Sequence, residues 1–339
     1  MRTELSEIGE FTLIENLTQE FAIHHQETLL GIGDDAAILE ATNECTLIST
    51  DLLLEGIHFD LMYHPLKHLG YKSVIVNLSD IIAMNAIPKQ ITVSIGVSNR
   101  FSVEAIEELY AGIKLACDTY QIDLIGGDTT SSPKGLIISV TALGTQNKDK
   151  IVRRSGAKPG DHIFVTGDLG GAYLGLQLLE REKKIFLEHP SIQPQLQDRK
   201  SIIEKILKPE ARKDIIRIFD KSKIVPTAMI DLSDGLSSDL LHICKQSNVG
   251  AMIEETNIPV SQEAQEMALE FHLDPTTCAM SGGEDYELLF CVSPQDSEKL
   301  KYLPGFYYLG EIGTADIGVK MKSSSGKLHE ITAQGWKHF

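Results

Sequence analysis

The chain has 339 residues, 42% of them hydrophobic, and a formal net charge of -17 from 48 Asp and Glu against 31 Lys and Arg. That length favours two domains over one, and the acidic balance excludes a nucleic-acid partner, which needs a basic footprint. No apolar run approaches the roughly 18 residues of a membrane span, so no membrane partner is expected. The opening MRTELSEIGEF lacks the basic and apolar regions of a secretion signal, and the expected location is the cytoplasm. Cys45, Cys117, Cys244, Cys278 and Cys291 are scattered, with no C-x-x-C spacing. They read as reduced core thiols rather than a zinc site or a disulfide framework.

In chain order, LLGIGDDAAI brings Asp34 and Asp35 after an apolar start. CTLIST from Cys45 is rich in β-branched residues and reads as a strand running into Asp51. VIVNLSDIIAM is read as an apolar strand that ends at Asp80. QITVSIGV from Gln90 is a further strand. SVEAIEELYAGIKLACDTY, residues 102–120, has helical periodicity, with Ser102 as cap and Glu104 in the first turn. DLIGGDTTSS carries Asp128, and GLIISVTALG from Gly135 reads as another strand. The polar, turn-rich stretch GTQNKDKIVRRSGAKPGD, residues 144–161, is the expected boundary. It separates an N-terminal domain, 1–147, from a C-terminal domain, 148–339. HIFVTGDLGGAYLGLQLLE follows as strand, glycine turn and helix, and EHPSIQPQLQDRK from Glu188 as a long loop. Residues 182–200 carry no motif and are assigned no role. MIDLSDGLSSDLLHI then holds Asp231, Asp234 and Asp239, and AMSGGEDYELLF holds Glu284 and Asp285. Strands and helices alternate, so both domains are expected to be mixed α and β.

Any one of these acids has a bland explanation, since Asp or Ser beside a strand is a good helix cap and Gly supplies a tight turn. As a set they read as sharing one kind of place, the C-terminal end of an apolar strand, where open α/β sheets hold ligands. Two carboxylates ~5 Å apart repel by roughly 3 kcal/mol at an effective dielectric near 20, so a cluster needs cations. Oxygen donors with few His favour Mg²⁺. Mg²⁺ held by acids beside glycine-rich turns points to a phosphate substrate, whose oxygens the backbone N–H groups of GGDTTSS and TGDLGGA could cradle. G-x-x-x-x-G-K-[ST] is absent, as are the H-R-D and D-F-G signatures, so any nucleotide is held by another fold.

Taken in order, GIGDDAA, STDLLLEGIHF, NLSDIIAMNAIP, IGGDTTSS, RSGAKPGD, IDLSDGLSSDL, SGGEDYELLF and the terminal GWKHF resemble the thiamine-monophosphate kinase family, within the aminoimidazole ribonucleotide synthetase superfamily. The resemblance runs from about Gly9 to Phe339. It implies a two-domain α+β fold, with an N-terminal α/β domain that binds ATP and metal and contributes strands to a dimeric β-barrel, and a C-terminal layered α/β domain. It also implies transfer of the γ-phosphoryl group of ATP to thiamine monophosphate, several Mg²⁺ ions, a nucleotide between the domains, and a homodimer.

Carried over by motif position, Asp35, Ser49, Thr50, Asp51, Asp80, Asp128, Asp231 and Asp234 resemble metal ligands. Gly127, Asp128, Arg154 and Ser233 resemble ATP contacts. His58, Glu284 and Trp336 resemble contacts to thiamine monophosphate. Tyr110 is placed near the adenine, with packing on its helix as the competing reading, and Trp336 is alternatively an aromatic plug for the C-terminus. Asp34 orients its loop, and Asp239 is expected to be a surface or capping-turn charge. No general base is conspicuous, and none is required, because the acceptor phosphate is already ionised near neutral pH. The chain departs from the family in following GGDTT with Ser131, Ser132 and Pro133 instead of Arg-Gly. Selenophosphate synthetases carry a reactive Cys or selenocysteine in their N-terminal glycine-rich segment, and no Cys precedes GIGDD here. Hydrogenase-maturation relatives end in a modified Cys, and this chain ends in WKHF. A two-metal phosphohydrolase and a noncatalytic acidic binding module are the readings from other classes.

Overall fold

The computed structural model describes residues 10–30, 32, 37–41 and 43–333. The chain divides into two compact units, the first of residues 1–82 and 86–149 and the second of 83–85 and 150–339.

In the first unit, helix α1 (Glu10–Thr18) precedes a two-stranded antiparallel ribbon of β1 (Thr28–Leu30) and β2 (Ile38–Leu39). The main sheet comprises β3 (Cys45–Leu54), β4 (Ile87–Val97), β5 (Asp123–Ser131) and β6 (Leu136–Gln146), in the order β3-β6-β4-β5. Only β4 and β5 run parallel. Their crossover is the helix after β4, whereas α2 (Leu66–Ala83) precedes that strand and α3 (Val103–Tyr120) follows it. Ser102 caps α3 by accepting the Ala105 N–H, with Glu104 in the first turn, as its sequence predicts.

Alternation along β6 shows a sheet with one covered face, where Leu136, Ile138, Val140 and Ala142 are all buried. α2 lies on that face: a Cβ at Gly144 of β6 would stand 2.3 Å from Ile81 Cγ2. α2 and α3 touch backbone to backbone. A Cβ at Gly70 would fall 1.9 Å from the Leu109 carbonyl oxygen, and one at Gly112 1.9 Å from that of Lys67. Only glycine allows that approach.

The second unit is built on seven strands: β7 (His162–Thr166), β8 (Ala228–Asp231), β9 (Gly250–Glu254), β10 (Leu288–Val292), β11 (Phe306–Gly313), β12 (Val319–Lys322) and β13 (Leu328–Glu330). They are ordered β13-β12-β9-β11-β7-β10-β8, and only β12 and β9 pair in parallel. The helices are α4 (Gly171–Glu188), α5 (Lys200–Leu207), α6 (Lys213–Ser222), α7 (Leu236–Ser247), α8 (Gln262–Glu270), α9 (Pro275–Ser281) and α10 (Pro294–Leu300).

Period-two alternation divides this sheet between two cores. Ile163, Val165, Ile230, Leu289 and Cys291 pack with Leu236, Leu240 and Ile243 of α7. Phe164, Phe290 and Phe306 turn the other way, and Phe219 of α6 meets Phe290 edge-on at 5.1 Å. Leu174 and Leu178 of α4 form a third cluster with Ile202 and Met267. The loop after α4 is tied down by Glu182, which accepts the Gln195 N–H at 2.9 Å.

Four of the five cysteines are buried thiols, Cys45 is half-buried, and none is bridged. Among the described residues no helix is long and apolar enough to cross a membrane.

Candidate active site

In the first unit the acids gather between β3 and α2. β3 is an edge strand, so alternate N–H groups have no partner in the sheet, and Asn77 of α2 accepts that of Asp51 at 2.9 Å. Asp80 lies one helical turn beyond Asn77 and accepts the Ser49 hydroxyl at 2.5 Å. Ser49 and Asp51, two apart on a strand, share the face turned to α2. Burial, and then the charge of Asp80, push the Asp51 carboxyl up to about 6.

The expected strand ending in Asp80 is a helix, and Asp51 and Asp128 stand within β3 and β5 rather than beyond them. Among the described residues, Asp231 is the one expected strand-end ligand that closes a strand, β8. Thr50, between Ser49 and Asp51, turns to the opposite face. Its hydroxyl donates to the Val140 carbonyl and accepts that of Thr141 at 3.0 Å, so the strand alternation separates it from Ser49, Asp51 and Asp80. Register sets Gly127 in the row of Asp51, Val140 and Val93, and the exposed Asp128 in the next row with Ser94 and Ser139.

His58 follows β3 in a tight turn in which its Nδ1 accepts the Leu54 N–H at 3.0 Å. The neutral ring therefore carries its proton on Nε2. Tyr110 is buried on α3, edge-on to Phe21 at 6.5 Å, and burial pushes its phenol up to about 12, which favours the packing reading of this residue. Asp34, Asp35 and Trp336 lie outside the described residues.

The second unit carries the other acids on two interlocked turns. β8 ends at the buried Asp231, the exposed Ser233 and half-buried Asp234 follow, and Gly235 (φ 102) opens α7. Against this turn lies the segment after α9. Glu284 N–H donates to the Ser233 carbonyl at 2.8 Å, Tyr286 N–H to that of Leu232 at 2.9 Å, and Leu232 N–H to that of Glu287 at 2.8 Å. Gly283, Glu284 and Tyr286 all have left-handed backbone, with φ of 72, 57 and 51. Left-handed Glu and Tyr cost about 1–2 kcal/mol each, a strain characteristic of functional loops. Glu287 anchors the segment from below, taking hydrogen bonds from Arg212 and from the Thr166 hydroxyl.

Asp239 departs from its expected exposure. It stays in the capping turn, accepting the Asp234 N–H at 3.3 Å, but it is only 1% exposed. Burial, followed by the charges of Asp231 and Asp234, pushes its carboxyl up to about 8, and Arg154 opposes the rise. Arg154 is thus an exposed cation within electrostatic reach of this acidic turn.

Among the described residues, no three His, Cys, Asp or Glu side chains are grouped closely enough to hold a metal ion by themselves. The donors that do converge, the Ser49 hydroxyl and the Asp51 and Asp80 carboxylates, are all oxygens. They fit Mg²⁺, which typically takes one or two carboxylates and completes its shell with water and substrate phosphate. Sequence reasoning missed Asn77, whose signal was its i,i+3 spacing from Asp80 on a helix.

Two compact units carrying a mixed four-stranded sheet and a mostly antiparallel seven-stranded sheet, with acids on interlocked turns, define the AIR synthase-like fold. Residues 33–146 match the family "AIR synthase related protein, N-terminal domain", and residues 158–321 match "AIR synthase related protein, C-terminal domain". Within that class the chain belongs to the thiamine-monophosphate kinase family. It is 36% identical to thiamine-monophosphate kinase of Bacillus subtilis (strain 168), over 98% of this chain and 100% of that one. It is 34% identical to that of Aquifex aeolicus (strain VF5), over 99% of each. Among solved structures, AaThiL complexed with AMPPCP and TMP superposes with a TM-score of 0.76 at 31% identity, covering 100% of this chain and 99% of that one. Hydrogenase Maturation Protein HypE in complex with ATP, at 18% identity and TM-score 0.74 over 94% of each chain, shares the fold.

Proposed function

We propose that the chain transfers the γ-phosphoryl group of ATP to thiamine monophosphate, releasing ADP and thiamine diphosphate. The observation that carries this reading is the Ser49, Asp51 and Asp80 cluster, an all-oxygen donor set that suits Mg²⁺, in a chain whose full-length relative binds AMPPCP and TMP. In the balanced step an oxygen of the acceptor phosphate forms a bond to Pγ, the bond from Pγ to the β,γ-bridging oxygen breaks, and its electron pair leaves with ADP. No proton needs to be removed, because the attacking oxygen belongs to an ionised phosphate.

Asp35, Ser49, Asp51, Asp80, Asp128, Asp231 and Asp234 are the proposed Mg²⁺ ligands; bound Mg²⁺ would neutralise phosphate charge and hold oxygens in place. Thr50 and Tyr110 drop out of this assignment, the first because its hydroxyl is engaged on the other face and the second because it is buried. Backbone at Gly127 and Asp128, with Ser233, holds ATP phosphates, and Arg154 adds the positive charge that the acids lack. His58 offers its Nε2–H to the acceptor phosphate. Glu284, held in left-handed backbone, and Trp336 contact the thiamine, whose cationic thiazolium favours a carboxylate and an indole face.

The acting species is proposed to be a cytoplasmic homodimer. Supporting the dimer, the uncovered face of the first unit's sheet presents Ile48 and Leu52, 67% and 51% exposed, at alternate positions of β3.

The decisive assay follows thiamine diphosphate formation from ATP and thiamine monophosphate, with and without Mg²⁺, with free thiamine as control acceptor. Metal-dependent product from the monophosphate alone is the expected result. Phosphate release from ATP at one rate with or without thiamine monophosphate would replace the kinase with a phosphohydrolase.

A further inference from the structure

Helix α4 begins without a cap of its own. Its cap position is Gly170, which has no side chain and adopts a φ of 81. A Cβ there would stand 2.9 Å from the Ala279 nitrogen and 3.0 Å from the Cys278 carbonyl carbon, both backbone atoms of α9. The tight contact with α9 therefore excludes the Ser, Thr, Asn or Asp that would ordinarily accept the first free N–H groups of the helix.

The missing acceptor arrives from far along the chain. Asp285 accepts the Gly170 N–H at 2.9 Å through Oδ2 and faces the Ala172 N–H at 3.5 Å through Oδ1. A carboxylate suits a helix N-terminus, where the exposed N–H dipoles carry partial positive charge. Burial pushes the Asp285 carboxyl up to about 7, and the Gly170 and Ala172 N–H groups oppose that rise together with the charge of Lys205 of α5, which donates to Asp168 at 2.6 Å.

Asp285 also sits between two residues whose backbone is strained. Glu284 and Tyr286 flank it, both left-handed, and both donate their N–H groups to the turn that carries Asp231 and Asp234. The carboxylate that caps α4 thus fastens the middle of a segment whose neighbours are stitched to that acidic turn. From this geometry we propose that Asp285 is a positioning residue, a latch from the start of α4 that holds Glu284 in left-handed backbone and so aims its side chain at the acceptor substrate. The inference rests on the assignment of Glu284 to thiamine monophosphate made above.

The latch is tested with Asp285→Ala and Asp285→Asn in the full chain, by amide hydrogen exchange and by kinetics. In Asp285→Ala the Glu284 and Tyr286 amides are expected to lose protection while those in the middle of α7 keep theirs. The KM for thiamine monophosphate should rise on the order of tenfold with the KM for ATP changed less than about twofold. Asp285→Asn keeps an acceptor for Gly170 and should fall between wild type and alanine. Should the alanine variant fail to fold, the asparagine variant decides by the same split between the two KM values. Unchanged protection at Glu284 and Tyr286, or a parallel rise of both KM values with a lowered melting temperature, overturns the latch. A wild-type chain that forms no thiamine diphosphate overturns the substrate assignment instead, and the exchange result then decides the latch alone.

Discussion

The Glu284 N–H donates to the Ser233 carbonyl at 2.8 Å, one of three backbone bonds that join two acidic motifs far apart in sequence. It requires Gly283 at φ 72, where a Cβ would approach the same Ser233 oxygen to 2.6 Å. Gly283→Ala is therefore expected to cost about 1–2 kcal/mol in left-handed strain, with the clash in addition. It should also reduce kcat/KM by roughly tenfold or more through misplacement of Glu284. Urea unfolding with steady-state kinetics checks both, and wild-type values in the two assays would show that the turns are not coupled.

A second prediction concerns pH and metal. The Asp51 carboxyl is raised to about 6 by burial and by Asp80, whereas in the unfolded chain it returns to about 4. The folded state thus holds this proton more tightly than the unfolded one. The stability this contributes is full below pH ~4 and is lost as pH rises through ~6. Above that, two nearby carboxylates repel, and the proposed cation would relieve them. The rise in melting temperature on adding Mg²⁺ should be larger at pH 8 than at pH 5, and Asp51→Asn should reduce the difference. Calorimetry at the two pH values measures it; a gain independent of pH would remove Asp51 from the cation site.

Much of the architecture was legible in the sequence, and the exceptions have physical causes. β3, β4 and β6 are β-branched runs, and α3 shows its cap at Ser102 and a clear apolar stripe. The segment around Val74, Ile75 and Val76 carries the same residue types yet forms α2. That helix is buried almost all round from Leu69 to Ser79, pressed against the sheet on one side and against α3 through Gly70 on another, so it lacks a polar face and its 3.6-residue period is erased. The acids were visible individually, but their partners were not. Nothing local to SGGEDYE indicates that Asp285 caps a helix 115 residues earlier, since that follows from the approach of α9 to Gly170.

The burial of Asp239 leads to a third prediction. Its carboxyl is pushed up to about 8, mainly by burial, so the stability it contributes is lost as pH climbs from ~4 through ~8. Asp239→Asn keeps an oxygen for the Asp234 N–H and removes the charge. The metal-free variant is expected to be more stable than wild type at pH 9 by several kcal/mol, and equal to it near pH 4. Denaturant titration across this range measures the difference, and parallel pH profiles for the two proteins would contradict a raised Asp239.

The uncovered face of the first unit's sheet supplies the last prediction. On β3 the inward residues Leu47 and Leu53 are buried, while the outward Ile48 and Leu52 are 67% and 51% exposed. An edge strand with apolar residues on its open face invites pairing with another chain unless something covers it. If a second copy covers it, Ile48→Lys combined with Leu52→Lys places like charges across that contact. The variant should sediment as a monomer at concentrations where wild type is a dimer, with the second unit's fold unchanged by circular dichroism. Ser49 and Asp51 point to the other face of the strand, so a loss of Mg²⁺ binding along with the dimer would show that the subunit contact supports the cation site. A dimer that survives both substitutions assigns the contact to a different surface.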